Sequence, residues 1–221
     1  MEITGETVAA LRRVRWIVGG TGAGKSTVAR ELAARYGVAV FDGDRAEGSW
    51  ARRADPVRQP RLTAQQGLAP GEFWAGRTAA EVLAAMPSLH GEMTGFLVAD
   101  LLERVAGGGP LLVDWFGLLP DGLAPLLADP AQAVCLVPTP AFREAALRAR
   151  YADPARARAN WGDHDPAEML ARRLERDLLW DEQVRLRAAR AGLTVRTVDG
   201  SVGPAALAEE LAAGFGWAPA G

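Results

Sequence analysis

Residues 19–27 restrict the possible folds of this chain more than any other stretch, because they combine four glycines with one lysine and three hydroxyl side chains. They match the pattern G-x-x-x-x-G-K-[ST], in which a curled backbone directs N–H groups at a phosphate and the next helix presents its N-terminus to the same anion. An apolar run at 14–18 precedes the stretch and a helical pattern at 25–36 follows it. We therefore predict a nucleotide phosphate site formed by Gly19, Gly20, Thr21, Gly22, Ala23, Gly24, Lys25, Ser26 and Thr27.

Lys25 and Ser26 add specific chemistry to this loop. A lysine here reaches the β- and γ-phosphates of a nucleotide, and the hydroxyl group that follows it ligates Mg²⁺. Of the 25 basic residues, 24 are arginine, so Lys25 is the single lysine of the chain. Where either residue suffices this chain carries arginine, and its one lysine therefore marks a position that favours a compact ammonium group.

The composition excludes several classes of protein. The formal net charge of −2 over 221 residues argues against a general nucleic-acid binder. The single cysteine, Cys135, excludes an intramolecular disulfide and a metal site built from cysteines alone. No stretch resembles a secretory signal or a membrane span. We expect a cytoplasmic monomer or homodimer with no nucleic-acid or membrane partner.

Short apolar runs predict the five strands of one parallel sheet, at residues 14–18, 38–41, 110–114, 133–137 and 194–198. Helical stretches separate these runs, which is the pattern of an α/β fold with helices on both faces of the sheet. We expect one P-loop domain over residues 1–221, arranged as three α/β/α layers. A helical, acceptor-binding insertion at 45–105 and an arginine-rich lid at 143–166 are expected beside the mouth of the sheet.

Three aspartates follow predicted strands. Asp42 and Asp44 come directly after the second strand, and Asp114 ends the third, in the sequence Leu-Leu-Val-Asp. Ligands of such sheets bind at the carboxyl ends of the strands, so these carboxylates are candidates for a Mg²⁺ site and for a base near an acceptor. The alternatives are a helix or turn cap at Asp114 and ordinary Asp-Gly turn chemistry at Asp42.

Together, the phosphate loop, Phe-Asp-Gly-Asp, Leu-Leu-Val-Asp and the arginine-rich segment resemble the small P-loop kinases of metabolites and antibiotics. Shikimate, gluconate and adenylylsulfate kinases and chloramphenicol phosphotransferase belong to this nucleoside monophosphate kinase-like group. The resemblance implies ATP (or GTP) and Mg²⁺ as cofactors, with Ser26, Asp42 and Asp114 at the metal. It also implies that Asp44 binds and deprotonates an acceptor hydroxyl group. A second resemblance, to a group of actinobacterial P-loop proteins, rests on Trp50, Arg53, Gln59-Pro60 and Asn160-Trp161 and implies no substrate.

Arginines and tryptophans supply the other candidates. In kinases of this group one or two lid arginines enter the site, so Arg156 and Arg158 are candidate catalytic residues. Arg143 and Arg148 are candidates for nucleotide binding, Arg143 by stacking on adenine. Solvated helix faces are the alternative for all of them. On the acceptor side we expect Asp44, Trp50, Arg53 and Arg58, with buried tryptophans and surface arginines as the alternative.

These features favour a kinase that transfers the γ-phosphate of ATP to a hydroxyl group of a small molecule, such as an antibiotic, a biosynthetic intermediate, a nucleoside or a sugar. One alternative is a P-loop NTPase or nucleotide-binding switch that has no small-molecule acceptor. Another is a toxin-like kinase of nucleotide sugars. An acceptor base at Asp44 favours the kinase, since a switch has no need of one.

Overall fold

A computed structural model describes residues 3–218. Its centre is a sheet of five parallel strands in the order β2-β3-β1-β4-β5. The strands are β1 (Val14–Gly19), β2 (Ala39–Asp42), β3 (Leu111–Asp114), β4 (Ala133–Pro138) and β5 (Thr194–Val198). Each begins and ends within one residue of the predicted run, which confirms the predicted α/β class and its parallel sheet.

Ten α-helices accompany the strands within residues 3–218. They are α1 (Gly5–Ala10), α2 (Lys25–Tyr36), α3 (Gly43–Arg53), α4 (Pro60–Gln66), α5 (Ala79–Val105), α6 (Pro120–Leu123), α7 (Pro140–Tyr151), α8 (Pro154–Trp161), α9 (Pro166–Ala191) and α10 (Pro204–Gly214). No helix in this range is both long and apolar enough to cross a membrane.

Side chains alternate between the two faces of the sheet, as the period of a strand requires. In β1, Trp16 and Val18 pack in the cluster that contains residues of α5 and α9, whereas Ile17 packs with α2 and α10. Both clusters are buried, so the central strands are apolar on both faces and the protein has three layers.

The segment between β2 and β3 contains α3, α4 and α5. Helix α3 begins directly after β2, because Asp42 caps it by accepting a hydrogen bond from the backbone N–H of Arg45. Helix α5 begins at Ala79, nine residues before the predicted start at 88, and continues through Pro87. A capping box between Thr78 and Glu81 fixes this earlier start.

The segment predicted as an arginine-rich lid is mostly helical. Residues 143–151 belong to α7, and α8 and the start of α9 follow after short turns. Trp161, at the end of α8, is buried with Tyr151 and packs near Trp74 of the β2–β3 segment. The lid and the β2–β3 segment therefore contact each other above the carboxyl ends of the strands.

Candidate active site

The phosphate loop lies between β1 and α2. Gly22 and Gly24 both have φ of +79°, a left-handed conformation that glycine adopts without strain. The backbone N–H of Gly20 donates to the carbonyl oxygen of Leu136 in β4, which ties the start of the loop to the sheet. A Cβ atom on Gly20 would lie 2.5 Å from a carboxylate oxygen of Asp181, so this position has no room for a side chain.

Lys25 begins α2 and is 8% exposed. Its Nζ donates to the carbonyl oxygen of Gly20 at 2.9 Å and lies 5.8 Å from the centre of the Phe116 ring. Burial lowers the pKa of Lys25, and the nearby carboxylates of Asp114 and Asp44 oppose that change. The ammonium group is thus held inside the loop, where it would meet a phosphate.

Ser26 and Asp114 provide two oxygen ligands suited to a metal ion. Ser26 is in the first turn of α2, and the Asp114 carboxylate is 5% exposed at the end of β3. Burial raises the pKa of Asp114, while the charge of Lys25 and the nearby Ser26 hydroxyl group oppose the increase. A hydroxyl and a carboxylate oxygen beside a phosphate loop are ligands that Mg²⁺ prefers, so these residues fit the ion.

Asp42 and Asp44 have different environments. Asp42 is exposed and caps α3, and it does not line the cavity beside the phosphate loop. Asp44 lies in the first turn of α3 and lines that cavity, and its Oδ1 accepts a hydrogen bond of 3.3 Å from the backbone N–H of Phe116. Asp44 is therefore the one of the two that faces the space where an acceptor would lie.

Glu47 is a site residue that the sequence analysis did not identify. It lies one turn after Asp44 on α3, lines the same cavity, and accepts a hydrogen bond of 2.8 Å from Nε1 of Trp115. Burial raises the pKa of Glu47 to about 7, and the charges of Asp44 and Asp42 contribute to the increase. A helix start at residue 43 places Asp44 and Glu47 on one face, and the sequence analysis did not predict that start.

A cavity of about 430 Å³ extends from the phosphate loop between the lid and the β2–β3 segment. The phosphate end is formed by Thr21, Gly22 and residues 24–27. Beyond the loop the lining includes six aromatic and aliphatic side chains together with polar ones, among them His90 of α5. Burial and the nearby Arg176 lower the pKa of His90 to about 4, so this imidazole is neutral near pH 7.

The arginines that line the cavity differ from those predicted. Arg150, at the end of α7, lines it, and so do Arg173 and Arg176 of α9. Arg176 is 1% exposed, and its guanidinium lies 4.8 Å from the Trp74 ring centre and 5.1 Å from that of Phe116. The sequence analysis missed Arg173 and Arg176 because a long helix rich in arginine is usually a solvated surface.

The predicted lid arginines do not line the cavity. Arg156 is exposed, and Arg158 forms an exposed ion pair with Asp163 at 2.9 Å. Arg148 forms an exposed ion pair of 2.7 Å with Glu144, one turn earlier on α7. For these three residues the structure favours the alternative of a solvated helix face.

Arg143 does not face an adenine site, in contrast to the prediction. Its side chain is 1% exposed, its Nε donates to the carbonyl oxygen of Thr21 at 3.1 Å, and its Nη2 pairs with Asp181 of α9. The guanidinium is thus enclosed behind the phosphate loop and supports it. A buried arginine of this kind has no distinctive sequence pattern.

The predicted acceptor residues other than Asp44 lie away from the cavity. Trp50 is fully buried and its Nε1 donates to Asp100 of α5 at 2.6 Å. Arg53 pairs with the same carboxylate at 2.9 Å, and Arg58 is exposed in the turn before α4. Trp50 is therefore a core residue, and the two arginines are surface residues.

Comparisons with known proteins give matches to solved structures. No protein-family model matches the chain, and no curated protein sequence matches it. The tunicamycin resistance protein of Deinococcus radiodurans is 18% identical, over 94% of this chain and 98% of that one, with a TM-score of 0.48. TT1252 of Thermus thermophilus is 22% identical over 90% and 96%, with a TM-score of 0.49. A gluconokinase of Sinorhizobium meliloti 1021 is 19% identical over 93% of both chains, with a TM-score of 0.42. At these identities the likeness is one of fold.

Proposed function

We propose that this protein is a kinase that uses ATP (or GTP) and Mg²⁺ to phosphorylate a hydroxyl group of a small molecule. One observation carries the proposal: a single cavity joins Lys25 and Ser26 of the phosphate loop to the carboxylates of Asp44 and Glu47 and to the aromatic and aliphatic side chains beyond them. A nucleotide phosphate, a base and an acceptor would meet in this space.

In the proposed reaction the acceptor oxygen forms a bond to the γ-phosphorus as the bond to the β–γ bridging oxygen breaks. The hydroxyl proton goes to the carboxylate of Asp44, and the nucleoside diphosphate leaves. Lys25 and Arg150 stabilise the negative charge of the phosphoryl group, which is the main demand of this reaction. Mg²⁺, held by Ser26 and Asp114, would neutralise charge on the phosphate oxygens.

Asp44 and Glu47 have separate roles in this proposal. The Oδ1 atom of Asp44 is held by the backbone N–H of Phe116, which fixes the direction of its carboxylate. Glu47 holds the indole N–H of Trp115 and has a pKa of about 7, so it carries a proton in part of the molecules at neutral pH. We therefore assign the proton transfer to Asp44, and to Glu47 the support of the cavity wall.

A nucleotide switch or NTPase without an acceptor is the competing function, and a toxin-like kinase of nucleotide sugars is a variant of the kinase. The experiment compares the release of nucleoside diphosphate with ATP alone and with a panel of hydroxyl compounds, and follows the γ-phosphate onto each compound. We expect turnover to require an acceptor and phosphate to appear on it. Turnover that no compound stimulates would instead favour the NTPase.

Lys25→Ala provides the control for this assay. Removing the ammonium group is expected to lower phosphoryl transfer at least ~100-fold, the typical effect of losing an electrostatic stabiliser, while the fold is retained. Circular dichroism and the unfolding midpoint check the fold. Near-normal transfer by the purified variant would contradict the assignment of the phosphate loop.

A further inference from the structure

We infer that the acceptor is an alcohol whose body is mainly apolar and uncharged, rather than a polyol or an anionic metabolite. This inference rests on the proposed kinase function, and it concerns the end of the cavity beyond Asp44. Three features of that region carry it: the side chains of the wall, the balance of charge, and the few polar atoms that have no partner.

The first feature is the wall. Apolar side chains from the loop before α5, from α5 itself and from the loop after β3 line this end of the cavity. They are Phe73, Trp74, Met86, Leu89, Met93 and Phe116. A polyol bound here would bury hydroxyl groups against carbon atoms, and each hydroxyl group without a hydrogen bond opposes binding. Methionine side chains also adapt to apolar ligands of irregular shape.

The second feature is the charge. Four cations line the cavity: Lys25, Arg150, Arg173 and Arg176. Four carboxyl groups lie in it or near those cations: Asp44, Glu47, Asp114 and Asp177. Burial raises the pKa of Glu47 to about 7, so this group carries only part of a negative charge at neutral pH. The Mg²⁺ complex of ATP would bring a net charge of about −2, which already exceeds what the site can balance. An anionic acceptor would add to this negative charge.

Asp177 explains why the two arginines of α9 offer little to an anion. It is fully buried, its Oδ1 lies 2.6 Å from Nη2 of Arg176, and its Oδ2 lies 3.8 Å from Nε of Arg173. Arg173 also donates to the Tyr151 hydroxyl at 2.7 Å. Both guanidinium groups thus share this one carboxylate at the back of the pocket, and Trp74 lies over both of them.

The third feature is a small number of unpaired polar atoms. Four buried atoms of residues that line the cavity have no hydrogen-bond partner within residues 3–218: Nδ1 of His90, Oε1 of Gln65, and the Nε atoms of Arg173 and Arg176. His90 is 6% exposed between the rings of Trp115, Phe116 and Trp180. An acceptor with one or two polar substituents could pair with these atoms, whereas a fully hydroxylated one would leave most of its groups unpaired.

The test measures binding at the two methionines directly. Protein labelled with ¹³C at the methionine methyl groups is saturated with Mg²⁺ and a non-hydrolysable ATP analogue, and then titrated with three alcohols. These are 2-phenylethanol, its anionic counterpart 4-(2-hydroxyethyl)benzoate, and xylitol. Met86→Leu and Met93→Leu assign the signals, and Met169, which does not line the cavity, is the internal control.

We expect 2-phenylethanol to shift the Met86 and Met93 signals but not that of Met169, with a dissociation constant at least ~10-fold lower than for the other two alcohols. Leu89→Asn should weaken this binding, while Leu178→Asn, at an exposed position of α9, should not. Equal or tighter binding of xylitol or the benzoate would overturn the inference, and so would the absence of any shift at Met86 and Met93. The wild-type order of affinities decides the matter even if Leu89→Asn fails to fold.

Transfer to the same three alcohols, measured in parallel samples that contain ATP in place of the analogue, separates this inference from the proposed function. If 2-phenylethanol binds best but no alcohol ever receives phosphate, the kinase proposal fails and the inferred character of the pocket stands. If phosphate is transferred preferentially to xylitol or to the benzoate, the kinase proposal stands and the inference fails.

Discussion

Asp42 and Asp44 are separated by one glycine, and this small difference in position gives their carboxylates different surroundings. Asp42 is the last residue of β2 and caps α3, whereas Asp44 belongs to the first turn of that helix and faces the cavity. Only a glycine fits between them at position 43, because the Cβ atom of any other residue would overlap the Trp115 ring. The two carboxylates therefore serve different purposes, one at a helix terminus and one at the proposed acceptor.

Replacing each aspartate by asparagine separates their roles. Asp44→Asn is expected to lower single-turnover transfer by ~10²–10⁴-fold, the usual range for a general base, with nearly unchanged calorimetric binding of ATP. Because phosphoryl transfer demands little of a base, a smaller loss would indicate that Asp44 positions the acceptor. Transfer at the wild-type rate would place the acceptor elsewhere.

Asp42→Asn is the matched variant, since asparagine caps a helix as well as aspartate does. If Asp42 holds Mg²⁺ through water, this variant should need about 10-fold more Mg²⁺ for half-maximal transfer while reaching the wild-type rate at saturation. A titration with Mg²⁺ measures this. An unchanged Mg²⁺ dependence would leave Asp42 with the helix cap as its single role.

At the scale of elements, α9 supports the phosphate loop from behind. Asp181 of α9 holds Arg143 of α7, and Arg143 holds the carbonyl of Thr21. The side chains of this ion pair are 1% and 9% exposed. Burial raises the pKa of Asp181 to about 6 even though Arg143 opposes the change. The shape of the loop thus depends on Asp181, which follows the loop by more than 150 residues in the chain.

We predict that Asp181→Ala lowers the free energy of unfolding by about 3–5 kcal/mol, because Arg143 would remain buried without its counter-charge. The affinity for ADP should fall as well, since Arg143 holds the loop. Asp121→Ala is the control: it removes the partially exposed ion pair between Asp121 of α6 and Arg187 of α9 and should cost at most about 1 kcal/mol. Equal losses in urea unfolding would contradict a supporting role for Asp181.

The lid is the second element whose role can be tested. Arg150 lines the cavity, and its charge contributes to the lowered pKa of Lys25, whereas Arg156 is exposed on α8. We predict that Arg150→Ala lowers transfer about 100-fold and that Arg156→Ala changes it less than about 3-fold.

A non-hydrolysable ATP analogue with acceptor should protect residues 150–165 from hydrogen exchange. Similar effects of the two variants, or unchanged exchange, would contradict this role.

The elements could be predicted from the sequence, and the site only in part. Apolar runs and turn residues located all five strands, and the glycine pattern located the phosphate loop, because these signals are local. The start of α3 was missed, and with it the pairing of Asp44 with Glu47. Burial of Trp50 was one of the two readings that the sequence allowed. Arg143 and Arg176 were beyond prediction for another reason, since their burial depends on contacts with residues distant in the chain.

At the scale of the whole molecule, stability depends on pH through side chains buried near the cavity. The two main hydrophobic clusters pack on opposite faces of the same sheet, so we expect both layers to unfold together. A change in stability that arises at the cavity is then detected as a change in the free energy of unfolding of the whole domain. The raised pKa values of Glu47 and Asp181 make stability fall as the pH rises through them. The lowered pKa of His90 acts in the opposite sense. The unfolded chain binds more protons at this residue between pH 6.5 and about 4, so the free energy of unfolding decreases as the pH falls through this range.

Glu47→Gln isolates one of these contributions. The folded protein raises the pKa of Glu47 from 4.5 to about 7, so it binds more protons than the unfolded chain between these values, and stability falls across that range as the pH rises. Glutamine keeps an oxygen for the Trp115 indole and has no charge to bury. We predict nearly equal free energies of unfolding for variant and wild type at pH 4, below both pKa values, and a variant more stable by about 3 kcal/mol at pH 8. Glu103→Gln, at an exposed position of α5, should show no such difference in urea titrations. A wild type as stable as Glu47→Gln at pH 8 would mean that Glu47 is ionised in the cavity at little cost and is itself available as a base.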